Sequence, residues 1–100
     1  MIHVIATIEV AEGKRGAFIE EFRRIIKLVR DEDGCIEYGP AIDIATDVSA
    51  EPRPNIVTVI EKWANVEALE AHLKAPHMAR YREMVRDIVT GIHIQVLQPA

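Results

Sequence analysis

Residues 2 to 10, IHVIATIEV, alternate so that Ile2, Val4, Ala6, Ile8 and Val10 share one side of an extended chain. Directly afterwards the apolar period changes from two to between three and four. That switch, made twice along the chain, constrains the fold more than any other feature, because period two lies flat on a sheet and period 3.6 winds round a helix. The β-branched content of the first stretch supports a strand. After the break at Glu12-Gly13-Lys14, Phe18, Phe22, Ile25, Ile26 and Val29 recur at helical spacing. Glu20 precedes Arg23 and Arg24 by three and four residues, the favourable direction for pairs on a helix surface. The spacing predicts one helix from about residue 14, stopped by Asp33-Gly34, where glycine suits a left-handed C-terminal position.

A second strand is expected to start near Cys35, with Ile36, Tyr38, Ile42 and Ile44 on one side. Pro40 cannot donate to a ladder, so it marks an edge position or a bulge. Residues 46 to 55, TDVSAEPRPN, lack periodicity and read as a loop; residues 56 to 63, IVTVIEKW, read as the third strand. Asn65 suits the N-cap of a short helix carrying Val66, Leu69 and Leu73. Pro76 suits the start of the next, where Met78, Tyr81, Val85 and Ile88 form a stripe. Gly91 is expected to end that helix and residues 92 to 97, IHIQVL, to form the last strand. The order β-α-β, loop, β-α-β predicts a ferredoxin-like α+β sandwich in a single domain, residues 1 to 100. Strand three is apolar on both sides, with Ile56, Thr58 and Ile60 opposite Val57, Val59 and Trp63. Two short helices cover only one face, so a homodimer is expected to cover the other.

Composition narrows the function. With 49% hydrophobic and 28% charged residues the chain has the balance of an ordinary globular protein. No apolar run approaches the roughly 20 residues of a membrane span, and no basic segment followed by an apolar one suggests a signal peptide. The single cysteine, Cys35, cannot form an internal disulfide, which favours a reducing compartment and a cytoplasmic location. Twelve basic against sixteen acidic residues, a net charge of −4, argue against nucleic acid as a partner. A small domain acting on a small molecule, or serving as a scaffold, is left.

Three segments carry a resemblance over essentially the whole chain. GCIEYGPAID (Gly34 to Asp43), IEKW (Ile60 to Trp63) followed by LEAHLKAPHM (Leu69 to Met78) and Tyr81, and the ending VLQP (Val96 to Pro99) are similar to the antibiotic biosynthesis monooxygenase family, and within it to the bacterial quinol monooxygenase branch. The resemblance implies a dimeric α+β barrel that oxygenates quinols or polyphenols with dioxygen and uses no flavin, haem or metal cofactor. Relatives in the wider family degrade haem or isomerise small sugar-like signals. As far as the positions correspond, the haem-degrading relatives' asparagine, tryptophan and histidine fall on Thr7, His72 and Arg82, which does not fit haem.

Oxygenation of this kind needs a base for a phenolic proton, a way to hold the anion, and shelter from bulk water. His72 and His77 are the candidate bases, since imidazole titrates near neutral pH; the alternative is that they are hinge residues fixing the break at Ala75-Pro76. Trp63, Tyr38 and Tyr81 are candidate substrate-binding walls, or else core aromatics. Arg80 and Arg82 fall beside the Met78/Tyr81 stripe, on the solvated face; Arg53 lies in the loop without a role that its spacing demands. Cys35 reads as a small buried hydrophobe. A metal site is disfavoured: His72 and His77 stand five apart across a proline, whereas one helical face requires three or four. Three functions are therefore expected to compete: a quinol monooxygenase with an aromatic substrate and dioxygen, an isomerase on the same fold, and a non-catalytic module binding aromatic ligands.

Overall fold

The computed structural model describes residues 1–100. The elements in chain order are β1 (Ile2–Val10), α1 (Arg15–Arg23), α2 (Ile26–Arg30), β2 (Cys35–Ala41), β3 (Ile56–Trp63), α3 (Val66–Leu73), α4 (Pro76–Val85) and β4 (Val89–Leu97). The four strands form one sheet in the order β2-β3-β1-β4, and every neighbouring pair is antiparallel. This is the ferredoxin-like α+β architecture that the two changes of period predict. The sheet is open, with β2 and β4 as its edges, so one chain alone forms no barrel.

All four helices pack on one face. Even-numbered residues of β1 and odd-numbered residues of β3 point into that layer, and the register sets Ala6 beside Val59 and Ile8 beside Val57. These side chains are buried against Phe18, Phe22 and Val29 from α1 and α2. Asn65 caps α3 as expected, its Oδ1 accepting from the Ala68 amide at 2.9 Å. Pro76 opens α4 at the position where a missing amide hydrogen costs nothing.

Several boundaries differ from those expected. The helix read from residue 14 is two helices, because Arg24 and Ile25 donate to Glu21 and Phe22, three residues back, and tighten the chain into a turn. The apolar stripe runs through that turn, which hides it from a reading of periodicity. β2 stops at Ala41, so Ile42 and Ile44 lie outside the strand and are exposed. A register shift between Cys35 and Glu37 leaves Ile36 exposed while Tyr38 is buried. Pro40 does lie on an edge strand. Ile88 lies beyond α4, and β4 begins at Val89 with Gly91 inside it. A bulge at Glu9/Val10 absorbs the offset, and a Cβ on Gly91 would meet the Glu9 side chain at 3.6 Å.

Candidate active site

A cavity of about 430 Å³ lies between the sheet and α3/α4 and opens along β4. Its walls are largely apolar, formed by such residues as Ala6, Val59, Met78 and Ile94. The polar side chains that reach it are Tyr38, Glu61, His72, Tyr81, Arg82 and Arg86.

His72 stands in the last turn of α3, on the face turned toward the sheet, and is only 2% exposed. Trp63, at the end of β3, packs against it with ring centroids 4.6 Å apart. Tyr38 meets it edge-on at 5.4 Å and stacks on Phe22 at 5.2 Å. Tyr81 of α4 meets Phe22 edge-on at 5.9 Å. The imidazole is thereby locked by aromatic neighbours on a regular element, which gives a functional side chain a fixed direction.

The partner of His72 comes from a turn. Glu32 follows α2, and its Oε2 accepts from His72 Nδ1 at 2.9 Å and from His77 Nε2 at 2.8 Å. Gly34 makes this approach possible. It adopts φ +83°, and a Cβ there would stand 2.6 Å from the Ala68 Cβ. The bare backbone lets the turn lie against α3, where the Gly34 carbonyl accepts from the Ala64 amide at 2.8 Å.

Because Nδ1 donates to Glu32, the His72 Nε2 carries the lone pair. No buried side-chain nitrogen or oxygen is left without a partner, so this nitrogen, which has none within the chain, opens onto the cavity. Tyr38 likewise has no hydroxyl partner within the chain and opens onto the cavity, whereas Tyr81 stands between the cavity and the groove outside α4. Burial pushes both phenols well above their usual range, so they remain protonated donors. Burial likewise lowers the His72 pKa, against the hydrogen bond to Glu32, and favours the neutral ring.

Glu61 is the one carboxyl on the cavity wall. It is 7% exposed, and its Oε1 accepts from Trp63 Nε1 at 2.9 Å. Burial raises its pKa to about 7, only partly offset by the Trp63 hydrogen bond.

The structure divides the residues singled out from sequence. His72, Tyr38 and Tyr81 border the cavity together. Trp63 does not: it is fully buried and its N–H is taken by Glu61, so it stands behind the wall and shapes it. His77 faces away, into a groove on the outer side of α4 that it shares with Arg24 and Arg80. Arg82, read as a solvated residue, borders the cavity and donates from Nη2 to the Leu73 carbonyl at 2.6 Å. Arg53 forms a clasp with Asp43, donating from Nε at 2.8 Å and Nη2 at 3.1 Å, which holds that carboxyl down at about 2. Cys35 is half-buried, and burial raises its thiol pKa. Five residues across a proline remain wrong for one helical face, yet His72 and His77 converge on one carboxylate because they sit on two helices. Their five-residue separation therefore does not keep the two rings from sharing a ligand.

Two carboxylates of the site, Glu61 and Glu32, and the cavity-lining Arg86 escaped the sequence reading. Glu61 had a signal: it is a charge at an inward position among Val57, Val59 and Trp63. Glu32 had none, since it lies in an acidic turn and meets its partners forty and forty-five residues on.

Residues 1–84 match the sequence profile of the antibiotic biosynthesis monooxygenase family. The chain belongs to the antibiotic biosynthesis monooxygenase family. It is 39% identical to the probable quinol monooxygenase YgiN of Escherichia coli K12 over 99% of this chain and 98% of the relative. A crystal structure from Pseudomonas aeruginosa superposes with a TM-score of 0.82 at 26% identity, covering 99% of this chain and 93% of that one. An antibiotic biosynthesis monooxygenase structure from Deinococcus radiodurans superposes at 0.83 and 21% identity, covering 100% and 93%, and supports the fold. No helix of this family member is long and apolar enough to cross a membrane.

Proposed function

We propose that this monooxygenase-family enzyme oxidises a quinol or related polyphenol with dioxygen, with the substrate itself supplying the electrons. The observation that carries the reading is the buried His72 ring, held at Nδ1 by Glu32 and presenting Nε2 to an apolar cavity. His72 Nε2 takes the phenolic proton, and the Tyr38 and Tyr81 hydroxyls donate to the resulting oxyanion. The electron-rich anion passes an electron to dioxygen, and the radical pair recombines at a ring carbon. One oxygen atom stays on the ring and the other leaves as water. Overall a quinol and dioxygen give a hydroxyquinone and water. The water takes the proton borrowed by His72 and the hydrogen displaced from carbon, and Glu61 holds a further proton beside the reacting atoms. Apolar walls keep the radical pair from bulk water. The active unit is a homodimer in which a second copy covers the sheet face away from the helices.

Oxygen uptake with an anaerobically reduced naphthoquinol, measured on metal-stripped protein against a no-enzyme control, tests the reading. We expect protein-dependent uptake with quinone formed, and a loss of about 10²-fold or more in His72→Gln. An unchanged rate in the folded variant would remove His72 from the mechanism. One observation favours a second reading: His72 and Glu61 share one cavity and could pass a proton between two carbons of an isomerisable substrate. Turnover that proceeds without oxygen would select that isomerase.

A further inference from the structure

We propose that Glu32, His72 and His77 form a site for a borderline divalent cation such as Zn²⁺ or Co²⁺, and that filling it reverses the tautomer of His72. Two imidazole nitrogens and one carboxylate oxygen form a ligand set suited to these ions. Here they come from three separate elements: the turn after α2, the end of α3 and the opening of α4. The three ligand atoms all lie within 4.8 Å of one another. The oxygen stands 2.9 Å from one nitrogen and 2.8 Å from the other.

Around a tetrahedral ion with bonds of about 2.0–2.1 Å, neighbouring ligand atoms stand about 3.3 Å apart. The oxygen–nitrogen separations thus need to open by only a few tenths of an ångström. The two nitrogens, up to 4.8 Å apart, must close by about 1.5 Å, a movement for His77, which sits in the first turn of α4 with its side chain 15% exposed. The Glu32 and His77 side chains are each 15% exposed, so the site has an edge on solvent from which an ion can enter.

The consequence for His72 follows from the chemistry of a neutral imidazole. Without an ion, both rings donate N–H to Glu32, so His72 carries its proton on Nδ1 and its lone pair on Nε2. An ion bound at Nδ1 requires that lone pair, so the one ring proton must move to Nε2. The nitrogen facing the cavity then becomes a donor. Where His72 is the base, as the functional reading has it, the ion switches that base off.

The test uses full-length protein dialysed against a chelator. Titration with Co²⁺ should produce visible d–d bands that saturate at one ion per chain, and Zn²⁺ should displace it. His77→Ala and Glu32→Gln should each weaken binding more than about tenfold, with circular dichroism showing the fold retained. In ¹⁵N-labelled protein, the His72 Nε2 shift should move from pyridine-like to pyrrole-like on adding Zn²⁺. Absence of the bands, or binding that both variants retain, overturns the site; binding that leaves Nε2 pyridine-like overturns the tautomer reversal. These readouts need no turnover. Failure to find quinol oxidation therefore sinks the functional reading alone.

Discussion

Glu61 stands at a strand position whose inward neighbours are Val59 and Trp63, and folding has to accommodate a carboxyl there. Burial raises its pKa from 4.5 to about 7. The unfolded chain gives up this proton near pH 4.5, whereas the folded chain holds it to about pH 7. The folded-state pKa is the higher one, so the associated stability is complete below about pH 4.5 and is lost as the pH rises through about 7. A difference of this size corresponds to about 3 kcal/mol, to order of magnitude. Glu61→Gln keeps an oxygen to accept from Trp63 Nε1 and removes the ionisation. We therefore expect it to be more stable than wild type at pH 8 and close to it at pH 4.5, by urea denaturation at both pH values. A difference that does not change with pH would show that Glu61 ionises freely in the folded protein. A residue that lowers stability at neutral pH while lining the cavity is the kind of local conflict expected of a functional position.

At the scale of elements, Gly34 decides whether the site assembles. Its left-handed backbone opposes any other residue, and so does the 2.6 Å that would separate an added Cβ from that of Ala68. Gly34→Ala should cost about 2 kcal/mol or more, from the left-handed conformation and the clash together. Gly16, inside α1 with nothing within 4 Å of its would-be Cβ, provides the opposite case. Gly16→Ala should gain about 0.5–1 kcal/mol from lower entropy in the unfolded chain. Thermal melts should thus shift in opposite directions, and a Gly34→Ala melt at or above wild type would mean that the turn is not seated on α3. The contrast between these glycines also shows what was legible beforehand. The four strands, the Asn65 cap, the Pro76 start and the left-handed Gly34 are local events, carried by residues within a few positions of one another. His72, Tyr38 and Tyr81 could be read because aromatic and imidazole groups beside an apolar stripe are candidates by type. The pairing of Glu32 with two histidines could not be read, because it depends on how a turn lands on a helix far along the chain. The break at Arg24-Ile25 was hidden for a different reason, since two short helices keep the apolar stripe of one long helix.

On the scale of the whole molecule the chain is a slab, 35 × 35 × 20 Å, with a radius of gyration of 13.8 Å. A compact chain of 100 residues is expected near 13 Å, and the excess reflects a two-layer body with one sheet face bare. On that face Ile5 and Ile60 stand opposite each other across β1 and β3, and Ile60 is 40% exposed. Thr7, Thr58 and Ile56 extend this uncharged centre, while Lys62, Glu37 and Glu9 carry charge further out on the same face, and an apolar centre inside a charged margin favours self-association. A second copy applied to it through a two-fold axis would give four layers, helices outside and two sheets about 10 Å apart within. The homodimer we propose should therefore sediment at micromolar concentration with twice the 11.3 kDa mass of the chain. Ile60→Lys places a charge at the centre of the contact, where it would be buried without a partner, and should yield a folded species of single mass. The lysine faces away from Phe18, Phe22 and the cavity, so circular dichroism should be unchanged even as the mass halves. A wild-type protein that already sediments as a single chain would instead mean that the bare face is stable in water, and the active unit would then be the monomer.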